Sequence, residues 1–149
     1  MSSGYFGIGI YHGKKAINLG TLWRSAYQLG ASFVFTINRR YSPQCSDTVK
    51  AWRSVPLFNW MDCETFWEHG IPYDCPVIAV EMGGSDLRIV SHPRRCIYLL
   101  GAEDHGIPKD VLSRCCAIFS LPAVRTESYN VSTAGAIVMY DRLSKGGME

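Results

Sequence analysis

The sequence predicts an α/β domain with a mostly parallel sheet flanked by helices. Short, mostly apolar segments rich in β-branched and aromatic residues recur along the chain, as in strands that are buried on both faces. Amphipathic segments with helical spacing separate several of them. The chain has 149 residues, of which 47% are hydrophobic. We therefore expect a single domain over residues 1–149 with about five or six strands.

The first strand is predicted at Tyr5–Ile10, a short apolar run that is interrupted by glycines. A helix follows at Asn18–Leu29, because apolar residues recur there at helical spacing and Gly30 supplies a stop. Asn18 is the candidate N-cap of that helix. Further strands are predicted at Ser32–Ile37, Pro76–Glu81, Cys96–Leu100 and Ala117–Leu121.

The middle of the chain, Asn38–Asp74, has a weaker pattern, with a short helix predicted near Asp62–His69. Met82–Ser85 is predicted to be a turn, since its two glycines tolerate positive φ. The clearest helix is Asn130–Lys145, which has a mostly apolar side and is followed by two glycines.

Composition narrows the class of protein. The sequence has 15 Lys and Arg against 13 Asp and Glu, which gives a net charge of +2. This small charge, without a strongly charged tail, does not indicate a class of binding partner. Tyr5–Tyr11 is too short to span a membrane and lacks the basic segment that precedes a secretory signal core. The six cysteines form no CxxC pair, so we expect reduced thiols and no metal site. We expect a cytoplasmic protein without a membrane partner.

Three segments carry polar residues that scaffolding does not require. Asn18–Arg24 begins a helix, where free backbone N–H groups favour anions. Tyr98–Pro108 runs from a strand into a loop with two glycines, two carboxylates and a histidine, and Leu121–Asn130 leads from a strand into the last helix. Capping and solvation are the plain alternative for each segment. Because ligands of α/β sheets bind at the carboxyl ends of strands, the three together favour one functional site.

These segments resemble three motifs of the SPOUT methyltransferases, and within them of the TrmH-type RNA ribose 2′-O-methyltransferases. The residues that carry the resemblance, motif by motif, are Asn18, Gly20 and Arg24; Gly101, Glu103 and Gly106; and Ser128 and Asn130 with the following Val-Ser-Thr-Ala-Gly-Ala-Ile-Val-Met-Tyr. The resemblance covers most of the chain, and Asn38–Asp74 is its least recognisable part.

The resemblance implies a homodimer whose C-terminal segment forms a deep trefoil knot, with S-adenosyl-L-methionine as the cofactor. The cofactor-binding residues that it implies are Glu81, Met82, Gly83, Leu100, Gly101, Leu121, Ser128, Asn130 and Val131. Arg24 is implied as the principal catalytic residue, at a site completed by the other subunit, and the further catalytic candidates are Asn18, Glu103, Ser128 and Asn130.

The role of Arg24 stays open between two chemistries. The family's arginine has been assigned as a proton acceptor, whereas a guanidinium, which scarcely loses its proton, is better suited to grip a phosphate. The candidate RNA-binding residues are Arg24, Arg39 and Arg40, and tRNA is the expected substrate, because recognition falls to a compact dimer.

Three other functions remain as alternatives. The same chemistry on ribosomal RNA is one, and a catalytically silent, knotted RNA-binding protein is another. The third is a dinucleotide-binding domain, because Gly7, Gly9 and Gly13 follow each other closely near the first strand. Their GxGxxxG spacing differs from the GxGxxG fingerprint, which counts against that function.

Overall fold

The computed structural model of the protein describes residues 4–12, 16–38, 51–101 and 106–146. Within these ranges the chain forms six strands and four α-helices. The strands are β1 (Tyr5–Tyr11), β2 (Phe33–Ile37), β3 (Leu57–Trp60), β4 (Val77–Asp86), β5 (Arg95–Gly101) and β6 (Ala117–Ser120). The helices are α1 (Ala16–Leu29), α2 (Cys63–His69), α3 (Lys109–Leu112) and α4 (Val131–Lys145), and short 3-10 turns occupy Ala51–Arg53, Pro72–Asp74 and Leu87–Ile89.

The six described strands form one parallel sheet in the order β3-β2-β1-β5-β4-β6. β1 lies near the centre, where Ile8 pairs with Val34 of β2 on one side and with Tyr98 of β5 on the other. The prediction of a mostly parallel sheet flanked by helices is therefore confirmed. Since the carboxyl ends of all six strands lie at the same edge, the segments that follow them meet there.

Helices bury both faces of the sheet. One apolar cluster joins α1 and α4 to the sheet, and its members include Phe6, Ile8, Leu22, Leu100 and Val138. A second cluster joins α2 and α3 to it, and its members include Phe35, Phe66, Leu99, Ile107 and Val111. Burial on both faces explains why the central strands have continuous apolar sequences instead of an alternating pattern.

The glycines of β1 serve packing rather than nucleotide binding. Gly7 and Gly9 lie within the strand, where a Cβ at either position would collide with an aromatic ring of β2, that of Phe33 or Phe35 respectively. The dinucleotide-binding alternative needs these glycines in a loop that approaches a phosphate, so it is wrong for Gly7 and Gly9. Gly13 lies outside the described residues.

Two parts of the sheet differ from the sequence prediction. β3 falls in the segment with the weakest pattern, and its residues are largely exposed because it is an edge strand with little burial to impose alternation. β4 does not end in a turn at Met82–Ser85 but extends to Asp86. Its pairing with β6 shifts after Val80 and resumes at Ser85, and Gly83 takes a positive φ of +87° in this irregular stretch, whereas Gly84 does not.

Two of the described helices begin at a side-chain cap, whereas the cap predicted for α1 is wrong. Asp62 caps α2 by accepting from the Thr65 N–H at 2.8 Å. Asn130 caps α4, which ends at Gly146 with a φ of +83°. Asn18, however, lies inside α1, which begins at Ala16, so the prediction of Asn18 as an N-cap is wrong.

The carboxyl end of α4 is bound to the segment that precedes β5. The guanidinium of Arg142 is fully buried and donates to the carbonyls of Pro93 at 2.7 Å and Arg94 at 2.8 Å. Lys145 Nζ donates to the carbonyls of Leu87 at 2.6 Å and Val90 at 3.0 Å. These charged donors bind four backbone carbonyls before β5, and they hold α4 firmly at this end.

Two further findings concern the described residues as a whole. No helix among them is long and apolar enough to cross a membrane. No group of three or more His, Cys, Asp or Glu side chains within these ranges is arranged to hold a metal ion. The five described cysteines, Cys63, Cys75, Cys96, Cys115 and Cys116, are free thiols in the structure. Burial raises the pKa of the Cys96 and Cys115 thiols to about 11, so both are held in the unreactive thiol form.

Candidate active site

A cleft of about 670 Å³ opens at the carboxyl ends of β4, β5 and β6, beside the amino end of α4. Its volume lies within the range of about 300–1,000 Å³ that small-molecule sites occupy. The lining residues predicted from the sequence as cofactor contacts are Glu81, Met82, Gly83, Leu100, Gly101, Leu121, Ser128 and Val131. Of the nine predicted contacts, only Asn130 is absent from the lining, and it caps the helix that begins with Val131.

Gly101, which ends β5, and Gly106 lie close together in a wall of the cleft. A Cβ at Gly101 would lie 2.8 Å from the backbone of Gly106, and Gly106 itself has a φ of +65°. In the structure the close approach is made by the backbone of Gly106, so both glycines are needed for the chain to return on itself.

Glu81 lies at the junction of two walls. Its Oε1 accepts from the Met82 N–H at 3.0 Å, and its Oε2 accepts from the Ile107 N–H at 2.8 Å. Ser120 fixes the same stretch from the other side, because its hydroxyl donates to the Glu81 carbonyl at 2.7 Å and accepts from the Gly84 N–H at 2.5 Å. Hydrogen bonds therefore join β4 both to Ile107, which follows β5, and to Ser120 at the end of β6.

Asn130 links α4 to α1. Its Oδ1 accepts from the N–H groups of Ser132 at 3.0 Å and Thr133 at 3.2 Å. Its Nδ2 donates to Oδ1 of Asn18 at 3.1 Å, and Asn18 is only 8% exposed. The first and third sequence motifs are thus in direct contact next to the cleft.

Arg24 lies on α1 outside the cleft lining of its own chain. It is six residues beyond Asn18, which places it about 120° around the helix axis from that residue. It shares its side of α1 with Ile17 and Tyr27, which are 59% and 46% exposed. The half-buried Arg24 therefore belongs to an outward-facing stripe of α1, which we call the α1 stripe: Ile17, Arg24 and Tyr27.

Charged groups around the cleft are partly neutralised. Hydrogen bonds from the Arg88 side chain and backbone hold the pKa of Asp86 at about 2, so this lining carboxylate stays ionised. Lys109 and Glu127 also line the cleft. The predicted site residues Glu103, Arg39 and Arg40 lie outside the described residues.

Sequence reasoning did not find Ser120. Its hydroxyl makes two hydrogen bonds across the cleft wall, yet it appears in the sequence as one polar residue at the end of an apolar strand. Its position at a carboxyl end of a strand was the available signal, because the site gathers at that edge. The lining residue Tyr129 was also missed; its hydroxyl donates to the Pro122 carbonyl at 2.6 Å and closes the loop before α4.

The sequence of the chain matches a known protein family. A model of the SpoU rRNA Methylase family matches residues 6–140, nearly the whole described chain. The chain belongs to this family. The resemblance drawn from the three sequence motifs is therefore confirmed, and the matched region includes every element that lines the cleft.

Individual relatives of this SpoU family member are distant. An uncharacterized tRNA/rRNA methyltransferase of Archaeoglobus fulgidus is 26% identical over 128 residues, which is 83% of this chain and 57% of that protein. The chain thus spans 57% of the length of this curated relative.

Solved structures share the fold. A protein studied for the 2-OH methylation of C/U34 on tRNA superposes with a TM-score of 0.84 at 22% identity, covering 97% of each chain. An rRNA methyltransferase from Sinorhizobium meliloti, solved with AdoMet bound, has a TM-score of 0.82 at 22% identity, covering 96% of this chain and 57% of the other.

Proposed function

We propose that this SpoU family member is an enzyme that methylates a ribose 2′-hydroxyl of RNA with S-adenosyl-L-methionine as methyl donor. The observation that carries the proposal is the cleft itself. Eight of the residues that the family resemblance implies as cofactor contacts surround one cavity at the carboxyl edge of the sheet. Family membership supports the same chemistry.

The residues of the cleft fit this cofactor. Leu100, Leu121 and Val131 offer apolar contacts suited to an adenine ring, and the backbone along Met82–Gly83 and at Gly101 offers polar groups for hydrogen bonds. When bound, S-adenosyl-L-methionine supplies an electrophilic methyl group on a positively charged sulfur.

The protein's task in this reaction is to position a poor nucleophile. The ribose oxygen must lie about 3–3.5 Å from the methyl carbon and in line with the bond that breaks. We assign Arg24 to grip the adjacent phosphate through its planar guanidinium, since that group scarcely deprotonates. Asn18 holds the loop or the ribose, Ser128 and Asn130 fix the knot and contact the nucleotide, and Glu103 orients Arg24 or binds substrate.

The proposed homodimer explains how Arg24 reaches a cleft that it does not line. The α1 stripe presents two exposed apolar side chains on either side of Arg24, as expected of a helix face that a second subunit covers. Arg24 of one subunit then completes the site of the other.

The proposed deep trefoil knot concerns α4. This helix is bound to α1 through Asn130 and to the segment before β5 through Arg142 and Lys145. These contacts hold α4 in place at both ends, and the knot itself stays an expectation from the resemblance.

We propose tRNA as the substrate, with Arg39 and Arg40 as further RNA contacts. The relative studied for the 2-OH methylation of C/U34 on tRNA matches over 97% of both chains, which supports a substrate of this class. Ribosomal RNA is the second candidate, because the S. meliloti relative is an rRNA methyltransferase. The cytoplasmic location stays a prediction.

The test combines RNA analysis with purified protein. Total RNA of a strain lacking the protein is digested and searched by mass spectrometry for a missing 2′-O-methyl nucleoside, first in tRNA and then in rRNA. We expect one such nucleoside to disappear and to return with the intact chain but not with Arg24→Ala. Unchanged RNA, with purified protein that transfers no labelled methyl group to either RNA, would refute the enzyme and favour a silent RNA-binding protein.

A further inference from the structure

Glu81 is the group in the cleft whose contacts fit its predicted role least well. The resemblance makes it a contact of the cofactor, yet each carboxylate oxygen already accepts a backbone N–H, from Met82 at 3.0 Å and from Ile107 at 2.8 Å. Both contacts are charge-assisted hydrogen bonds. The contact with Ile107 joins two residues that are 26 positions apart in the chain.

The surroundings of Glu81 are built to receive this carboxylate. Gly106 has no side chain where a Cβ would collide with Glu81 Oε2. The backbone of Glu81 is in turn fixed to β6, because the Ser120 hydroxyl donates to its carbonyl at 2.7 Å. Side chain and main chain of one residue therefore connect the end of β4 with the segment after β5 and with the end of β6.

A carboxylate suits this position better than an amide would. Two N–H donors converge on it, and only a group that accepts at both oxygens satisfies them together. A glutamine of the same shape turns an NH₂ group towards one of the donors and leaves that N–H without an acceptor. The cleft wall at Gly106–Ile107 then loses its attachment to β4.

We propose that Glu81 is a positioning residue, which holds the Gly106–Ile107 wall of the cleft in its cofactor-binding shape and does not bind the cofactor through its charge. This inference rests on the proposed function, since it presumes that S-adenosyl-L-methionine occupies the cleft. A positioning role of Glu81 and a direct ionic contact with the cofactor predict different ligand affinities. S-adenosyl-L-homocysteine lacks the positive charge on sulfur, so a displaced wall weakens both ligands equally, whereas a lost ionic contact weakens the methionine compound more.

The test compares Glu81→Gln with the intact protein in two measurements. Titration calorimetry gives the Kd of each ligand, and amide hydrogen exchange of ligand-free protein reports on the peptide that contains Ile107. We expect both Kd values to rise by the same factor of about ten, as for loss of one hydrogen bond to a charged group, and exchange at Ile107 to accelerate.

Glu127→Gln is the matched control. Glu127 is exposed and lines the same cleft, so this variant removes an equal charge without touching the two N–H groups. We expect exchange at Ile107 to keep its normal rate in this variant. If Glu81→Gln fails to fold, Glu81→Asp tests the same contact, because it keeps the charge while its shorter side chain draws the carboxylate away from the Ile107 N–H.

Three results would overturn the proposal. One is a loss of affinity confined to S-adenosyl-L-methionine, which would make Glu81 a direct ionic partner. Another is an unchanged exchange rate at Ile107, and the third is unchanged affinity for both ligands. The exchange measurement needs neither RNA nor cofactor. A chain that methylates no RNA would still reveal the contact, so failure of the proposed function is distinguishable from failure of this inference.

Discussion

Asn130 Nδ2 donates to Asn18 Oδ1 across 3.1 Å, which joins two residues 112 positions apart in the chain. The same amide group caps α4 through its oxygen. One side chain thus performs two separable tasks, a helix cap and a bridge between helices. The contact also brings together two of the three sequence motifs that nominate the site.

Replacing Asn130 should separate the two contributions. Asn130→Ala removes both, and we expect the free energy of unfolding to fall by about 2 kcal/mol, roughly half from the cap and half from the bridge. Asn130→Ser keeps a capping hydroxyl but is too short to reach Asn18, so it should lose about 1 kcal/mol. Urea unfolding followed by circular dichroism measures both values.

Asn18→Ala is the control that removes the bridge from its other end and leaves the cap of α4 intact. We expect it to be less stable than the unmodified chain by about 1 kcal/mol or more. Equal stability of Asn130→Ala and the unmodified chain would contradict the account of both contacts.

A buried histidine should make the fold sensitive to mild acid. His92 is 1% exposed; its Nδ1 lies 2.6 Å from Tyr98 Oη and its Nε2 lies 2.6 Å from Asp141 Oδ2. Burial lowers the pKa of His92, and the positive charges of Arg142 and Lys145 lower it further. The carboxylate of Asp141 raises this pKa but does not outweigh them. His92 therefore becomes protonated near pH 6.5 in the unfolded chain but stays neutral at this pH in the folded chain. Stability is fully present above that pH and is lost as the pH falls below it.

The measurement is urea unfolding between about pH 7.5 and pH 5.5, for the intact chain and for His92→Gln. We expect the loss of stability on acidification to be smaller in the variant, because the glutamine does not titrate. Asp86 does not contribute in this window, since its pKa is about 2. A gain in stability of the intact chain at pH 5.5 relative to His92→Gln would mean that the ion pair with Asp141 dominates.

The sequence predicted the elements that burial on both sides dictates. β1, β2 and β5 are almost entirely buried and have continuous apolar sequences, and α4 has a cap and a terminal glycine. β6 is an edge strand with one buried residue, Phe119, and was predicted from its apolar sequence alone. The sequence could not predict β3, an edge strand with exposed residues, nor the continuation of β4 beyond Glu81. That continuation depends on Ser120, a neighbour 39 residues away, and such a long-range contact leaves no local pattern.

The site was predictable in a similar way. Motifs from separate strand ends nominated residues that do line one cleft, because parallel strands bring their carboxyl ends together. The sequence did not indicate that Asn18 lies inside α1 facing Asn130, or that Gly101 makes room for Gly106. Both depend on how helices and loops pack, which spacing along the chain does not encode.

Arg24 substitutions should separate its two assigned chemistries. Arg24→Ala should lower kcat/KM for RNA methylation about a hundredfold or more, while the melting temperature changes little, because the side chain is only half-buried. Arg24→Lys keeps a positive charge without the bidentate geometry and should retain part of the activity. If Arg24 grips phosphate, the activity of the lysine variant falls as the pH approaches the lysine pKa of about 10.4; a proton acceptor would instead gain activity there.

Mixing two inactive variants should reveal whether Arg24 serves the opposite subunit. Arg24→Ala keeps an intact cleft, whereas Ser128→Trp keeps Arg24 and fills the cleft from an exposed lining position. Co-refolding equal amounts gives half mixed dimers, each with one complete site if Arg24 acts across the interface, so about one quarter of the normal activity should return. If Arg24 acts within its own chain, no subunit of any mixture has both parts, and activity stays at the level of the separate variants. Size-exclusion chromatography with light scattering checks that dimers form, and a monomer would refute the shared site outright.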